Sequence, residues 1–195
     1  MPKIVDRSRY RKQLLDKCFD LFAHKGYGSL TMRQIAKEIG VSTGTLYHYF
    51  SGKEELFIQL IEEITERDIL RANDEISDGL KTVEEKVLAL GQFIVQNEQL
   101  FCRQNLLLIN FFQQTELKQK EVVEAIDRSF QRYKQEIIKF LGIDNYAIAN
   151  HISCLIDGLI YQRAFTFESV AIEQQMKLLA SMLAAYRSNV SLSGN

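Results

Sequence analysis

Only Gly40 and Val41 separate the end of one helical segment from the serine that opens the next, and a link that short forces two helices to cross steeply. The flanks are written as clearly as the link. Thr31 can cap the first helix with its hydroxyl while Gln34 reaches back to the Thr31 amide, and Leu30 with Ile35 forms the matching apolar staple. Ile35, Ala36 and Ile39 recur at helical spacing, and Gly40 supplies the positive φ that closes the helix. Ser42 caps the second helix, stapled by Val41 and Leu46. Thr31 to Phe50 is therefore expected to be a helix-turn-helix unit.

In the second helix, Leu46 and Phe50 point toward the first, at about 100° per residue, while Gly44, Thr45, Tyr47 and His48 point elsewhere. A face that is small at its start and carries hydroxyl or ring nitrogen afterward suits the major groove of DNA. The backbone can come close, Thr45 can meet a base edge, and Tyr47 and His48 can bond phosphate oxygens. Ser51-Gly52-Lys53-Glu54 reads as a second capping box, with Lys53 in a first helical turn where the helix dipole does not favour a cation, so an external anion is the expected partner.

The chain's 195 residues, 46% hydrophobic and 25% charged, suffice for one or two compact domains and argue against disorder. Net charge is only -1, but the first fifty residues carry nine lysines and arginines against four acids, which leaves the remainder at -6. A basic end on an acidic body is expected if only that end faces a polyanion; chance and a solvated surface are the plain alternative. Cys18, Cys102 and Cys154 are far apart and form no CxxC pattern, so they read as reduced core residues and structural zinc is not expected. The polar start, Met1 to Lys12, carries no secretory signal, and the most apolar run, Leu106 to Phe112, is too short to cross a bilayer.

The run Thr31, Arg33, Ile35-Ala36, Gly40-Val41-Ser42, Thr45-Leu46-Tyr47, Tyr49-Phe50, Lys53 and Leu56-Phe57, together with Ala23-His24-Lys25-Gly26-Tyr27 before it, closely resembles the DNA-binding domain of the tetracycline-repressor (TetR) family. Many members have His where this chain has Tyr49. The resemblance implies a DNA-binding domain over residues 1–52, extending to about residue 67 through a connector helix, and a helical effector-binding and dimerisation domain over 53–195. It also implies DNA-contacting roles for Thr31, Arg33, Ser42, Thr43, Gly44, Thr45, Tyr47, His48, Tyr49 and Lys53, a double-stranded operator as partner, and a bacterial-type cytoplasmic protein associated with the nucleoid.

Proline occurs once, at Pro2, and no stretch alternates with period two for long, so the fold class is all-α with about nine helices. The first runs from about Arg7 to Lys25, on a stripe of Leu15, Cys18, Phe19 and Phe22. The fourth, about Lys53 to Arg71, is apolar on more than one face, a pattern that a plain core helix fits equally well; the resemblance implies a connector, because in TetR-like repressors this helix passes movement from ligand to DNA. A fifth carries Val83, Val87, Leu90, Ile94 and Phe101 on one stripe. Leu106 to Phe112 reads as a helix apolar nearly all round, and Val122 to Leu141 as another, stopped by Gly142.

Two further helices span about Tyr146 to Phe167 and Ser169 to Arg187. Their stripes name Ile152, Leu155, Gly158, Leu159, Ile172, Met176, Leu179, Leu183 and Tyr186 as a dimer interface, the arrangement the resemblance implies, although packing within the chain would produce the same pattern. Aromatic and polar residues of the C-terminal part could line a site for a small apolar or aromatic effector: Phe93, Phe101, Leu107, Asn110, Phe111, Gln114, Phe130, Tyr133, His151, Asp157, Tyr161 and Phe165, with Arg163 as a further polar handle.

No catalytic motif, cofactor fingerprint or metal-ligand spacing is present, so neither an enzyme nor a cofactor is expected. The reading is a homodimeric TetR-like transcriptional regulator, a repressor in the usual case, that binds a near-palindromic operator and is released by a small effector. Its rivals are a DNA-associated factor without a transcriptional role, and a helical carrier or enzyme that has lost DNA binding.

Overall fold

The structure is a computed structural model that describes residues 6–76, 79–114, 119–165 and 171–193, the side chains of Gln114 and of 188–193 excepted. Every regular element among them is a helix: α1 (Arg7–Lys25), α2 (Met32–Ile39), α3 (Thr43–Tyr49), α4 (Lys53–Glu75), α5 (Val83–Gln96), α6 (Glu98–Gln114), α7 (Lys120–Leu141), α8 (Tyr146–Phe165) and α9 (Ile172–Ser193). The chain is all-α, as its periodicity requires. The sequence-based ends at Phe167 and Ser169 lie outside the described residues.

Packing divides the chain into two units that do not follow chain order. One comprises 1–67 and 103–130, the other 68–102 and 131–195. In the first, Leu15, Cys18 and Phe22 of α1, Ile35 and Ile39 of α2, Leu46 of α3 and Leu56, Phe57 and Leu60 of α4 are buried in one cluster with Leu107 and Phe111 of α6 and Val122 and Ile126 of α7. Helices from both halves of the sequence thus share the core on which the helix-turn-helix rests.

In the second unit the core is built on Val87, Phe93 and Ile94 of α5, Ile152, Leu159 and Ile160 of α8, and Ile172, Met176, Leu179 and Leu183 of α9. Burying such side chains contributes roughly 1.5–3 kcal/mol each and is the main stabilising term. A bidentate ion pair between Arg163 and Glu98 closes the polar side of α8, with Arg163 Nη2 donating to Glu98 Oε2 at 2.7 Å. Gly91 lets α5 approach α9 closely.

The structure corrects three sequence expectations about these helices. The fifth does not run through Phe101: it ends at Gln96, where the Asn97 amide donates to the Phe93 and Val95 carbonyls and its side chain bonds Glu75 and Phe93, so Phe101 belongs to α6. No glycine or proline marks that break. Leu106 to Phe112 is not buried all round, because Leu107 and Phe111 are buried while Leu106 and Phe112 are 40% and 42% exposed. The apolar seams of α8 and α9 face their own chain: Ile152, Leu159, Ile172, Met176, Leu179 and Leu183 are core residues, Leu155 is half-buried, and only Gly158 and Tyr186 of the expected interface set are exposed.

Candidate nucleic-acid interface

The helix-turn-helix is assembled by local rules. Thr31 Oγ1 accepts the Gln34 amide at 3.3 Å, and Gln34 Oε1 accepts the Thr31 amide at 2.9 Å, completing the capping box. Gly40 at φ 76° is left-handed, and its amide reaches back to the Ala36 and Lys37 carbonyls. The Ile39 carbonyl, orphaned at the helix end, accepts Lys17 Nζ of α1 at 3.1 Å. Ser42 Oγ then accepts the Thr45 amide at 2.9 Å and lies 2.7 Å from Thr45 Oγ1.

Leu46 and Phe50 anchor α3, at 0% and 1% exposure, leaving Ser42, Gly44, Tyr47 and His48 exposed and Thr43 and Thr45 half-buried. Tyr47 is 51% exposed. Thr31 and Arg33 are exposed on α2 and its cap. Nine of the ten sequence-predicted contact residues thus belong to α2, α3 and their caps, and the tenth, Lys53, opens α4.

Two of them do something the sequence did not suggest. Tyr49 is half-buried, its ring 5.6 Å from that of Tyr10 and 5.2 Å from that of His48, with the Arg7 guanidinium 5.9 Å above it. It braces α3 against α1, whereas Tyr47 and His48 are exposed. Lys53 finds its anionic partners inside the protein: Nζ donates to the Tyr27 and Leu30 carbonyls at 3.2 and 2.9 Å and lies 4.2 Å from the Tyr27 ring centre. Desolvation lowers its pKa, with Glu54 acting in the opposite sense. The expected second capping box is also redrawn, since α4 begins at Lys53 and Ser51 Oγ donates to Glu55 instead.

These placements make a test. Arg33→Ala is expected to weaken DNA binding on all sequences and to flatten the slope of log affinity against log salt by about 1. Lys53→Ala is expected to leave that slope unchanged and to lower the thermal midpoint. Titrating labelled duplex at several salt concentrations, beside melting curves, separates the two.

The basic residues of α1 are largely committed within the protein. Arg11 Nη1 donates to Gln59 Oε1 at 2.6 Å, Lys12 pairs with the buried Glu63 at 3.1 Å, and Lys25 pairs with Glu38 at 2.7 Å. Much of the N-terminal positive charge is thus structural, and charge distribution alone overstated the basic surface.

The effector-site candidates are spread over both units. Leu107 and Phe111 are buried in the first unit's core, with Phe130 packed against it; Phe93 and Phe101 meet edge to face at 5.7 Å in the second. Tyr133 donates to Asp68 Oδ2 at 2.8 Å, Asn110 and Asp157 are half-buried, and His151, Tyr161 and Phe165 are exposed on α8. The Gln114 side chain lies outside the described residues. Among the described residues no group of three or more His, Cys, Asp or Glu could hold a metal ion, and no helix is long and apolar enough to cross a membrane.

Asp157 stands apart, because burial pushes its carboxyl from the ordinary 3.8 up to about 6. The folded chain holds that proton more tightly than the unfolded chain, so this residue's contribution to stability is greatest below about pH 4 and falls as pH rises through about 6. Asp157→Asn is expected to remove the fall, a difference on the order of 1 kcal/mol after discounting for the solvent contact of a half-buried group. Urea unfolding of both proteins at about pH 4 and pH 8 reads it.

Residues 14–60 match the family described as bacterial regulatory proteins, tetR family. The chain is 31% identical over 99 residues to the HTH-type transcriptional regulator PksA of Bacillus subtilis and 37% identical over 91 residues to the HTH-type transcriptional repressor Rv1474c of Mycobacterium tuberculosis. These matches cover 51% and 46% of this chain and span about half the length of those relatives, 48% and 47%. The whole fold is similar to that of a transcriptional regulator from Pseudomonas aeruginosa, with a TM-score of 0.76 at 16% identity over 95% of this chain and 93% of that one. It is similar also to a Saccharomonospora viridis regulator solved in complex with choline, with a TM-score of 0.64 at 19% identity over 91% and 97% of the two chains. Residues 14–60, which carry α2 and α3, are thus the part of this chain that matches the tetR family of bacterial regulatory proteins.

Proposed function

We propose that the protein is a homodimeric transcriptional repressor that reads a near-palindromic operator with two copies of α3 and releases it when a small molecule binds. Residues 1–52 read the DNA; 53–195 supply the effector site and the dimer contact. The observation that carries this reading is the outward face of α3, with Gly44, Tyr47 and His48 exposed over a Leu46 anchor that is fully buried. Short residues at the start of that face admit the backbone to a groove, and the ring residues after it reach phosphates.

One such helix contacts too few base pairs for selective binding, so a second copy is required. The helices α8 and α9 supply a face for it. Their inner sides are buried in one core, while Tyr161 and Phe165 on α8 and Leu178, Met182 and Tyr186 on α9 are exposed. Gly158, on the same exposed face of α8 as Cys154, Tyr161 and Phe165, has nothing within 4 Å of where a Cβ would stand, so no neighbour in its own chain accounts for a glycine that costs a helix interior about 1 kcal/mol. Close approach by a partner helix does.

The effector is proposed as a small molecule held by the C-terminal helices, in keeping with a structural neighbour that holds choline. It needs to favour the DNA-incompetent arrangement about 100-fold to weaken operator binding by about 2.7 kcal/mol.

Selection from a pool of random duplexes tests the reading. The expected product is a two-half-site sequence with centres about one helical turn, ~34 Å, apart, and Thr43 or Thr45 variants are expected to select a different one. Recovery of duplexes with no common sequence would overturn it, and bound sites scattered through coding regions, away from promoters, would favour a DNA-associated factor without a transcriptional role.

A further inference from the structure

The turn that launches the helix-turn-helix is held by residues far downstream of it. Tyr27, four residues before the Thr31 cap, is 1% exposed. Its ring centre lies 5.7 Å from that of Phe22, 4.7 Å from that of Phe57 and 5.1 Å from that of Phe111, and Phe57 and Phe111 stack at 4.8 Å with planes 15° apart. Tyr27 OH donates to Gln119 Oε1 at 3.3 Å, while the Tyr27 and Leu30 carbonyls hold Lys53. Phe111 is on α6 and Gln119 precedes α7, both outside the segment that matches the family's DNA-binding domain.

We propose that Phe111 is a positioning residue for DNA reading: its ring, packed on Tyr27 and Phe57, fixes the Tyr27–Thr31 turn and so the orientation of α2 and α3. Aromatic contacts of this kind are directional, so they restrict how the turn can tilt as well as excluding water from it. Because only Gly40 and Val41 link α2 to α3, a tilt of α2 is passed to the reading face nearly undiminished. Leu107, Val122 and Ile126 bury in the same cluster and hold the downstream wall in place. This assignment rests on α3 being the helix that meets DNA. It gives the downstream helices a grip on the reading head that does not run along α4.

Phe111→Leu keeps an apolar side chain but removes the ring, and Phe140→Leu, at a ring packed against the other core, is the control. In the full chain, hydrogen exchange over Thr31–Phe50 is expected to quicken about tenfold in Phe111→Leu and to stay unchanged in Phe140→Leu. Affinity for a duplex selected by the wild type is expected to fall about tenfold in Phe111→Leu alone, well below its melting temperature and with an unaltered salt slope. Unchanged exchange over Thr31–Phe50 in Phe111→Leu would overturn the proposal, as would full operator affinity. Should Phe111→Leu fail to fold, Phe111→Met and Gln119→Ala carry the same two expectations at smaller amplitude, and wild-type behaviour in both would overturn it. If the wild type selects no duplex, the DNA-reading proposal fails by itself, while the exchange result still decides whether Phe111 holds α2 and α3.

Discussion

The paired substitution Leu178→Asp with Met182→Asp is expected to convert the proposed dimer to a monomer and to lower operator affinity by two orders of magnitude or more. Both side chains are more than half exposed on α9, at 57% and 54%, and lie one helical turn apart. In a free chain neither packs against anything that a charge would disrupt, so the monomer is expected to keep its helix content and melt cooperatively. Against a second copy, each aspartate would be buried without a counter-charge and would face its own symmetry mate. A two-half-site operator then has to be filled by two independent encounters, which removes the advantage of linked binding. Sedimentation gives the mass and duplex titration the affinity. A dimer that persists with both aspartates in place would move the interface to another surface, and a monomer that still binds the operator at full strength would overturn the linkage between pairing and reading.

Which residues belong to that face could not be read from the sequence, and the reason is physical. A stripe at threes and fours records that a helix buries one side, and α9 has a buried stripe, Ile172, Met176, Leu179 and Leu183, against its own chain. Its exposed apolar residues fall on the remaining arc, where they carry no distinct period. The local signals behaved differently. The Thr31–Gln34 box, the Ser42 cap, Gly40 and the Leu46 anchor depend on neighbours within a turn or two, and each takes the geometry its spacing implies. Thr82 and Glu85 form a further capping box at the start of α5.

Two misreadings show where local reasoning stops. Lys53 at a helix start asked for an anion, and sequence reasoning placed that anion outside; the Tyr27 and Leu30 carbonyls supply the negative ends of two dipoles instead. The break at Asn97 needs no glycine because its side chain bonds Phe93 of the preceding turn and Glu75 of α4, and the latter partner is remote in sequence. The candidate effector residues divide between two cores, which the sequence could not separate for a similar reason. Large aromatics fill cores and line cavities with equal ease, so Phe111 could be named from its type but not assigned to the first core until Tyr27 and Phe57 were found around it.

Gly91→Val is expected to destabilise the protein by about 2–3 kcal/mol, from overpacking against α9 that outweighs the small helix preference valine holds over glycine. A Cβ at this position would lie 2.8 Å from Met176 Cγ and 3.1 Å from Met176 Cβ, and Met176 is itself fully buried. Two effects oppose each other for the smaller change. Gly91→Ala gains about 1 kcal/mol of helix preference, which the forced shift of Met176 offsets, so its net effect is expected to lie near zero. Valine adds methyl groups to the same contact and, being β-branched, keeps only part of that gain. The contact, if it is the cause, must be relieved by shortening its other partner: Met176→Ala, costly alone because it opens a cavity of its own, is expected to cost less in the Gly91→Val background. Urea unfolding of the wild type, both single variants and the double variant measures that coupling directly. Strict additivity would show that Gly91 is glycine for a reason other than the approach of α9. A coupling of about 1 kcal/mol or more in the relieving direction would fix the α5 to α9 packing as the constraint at this position.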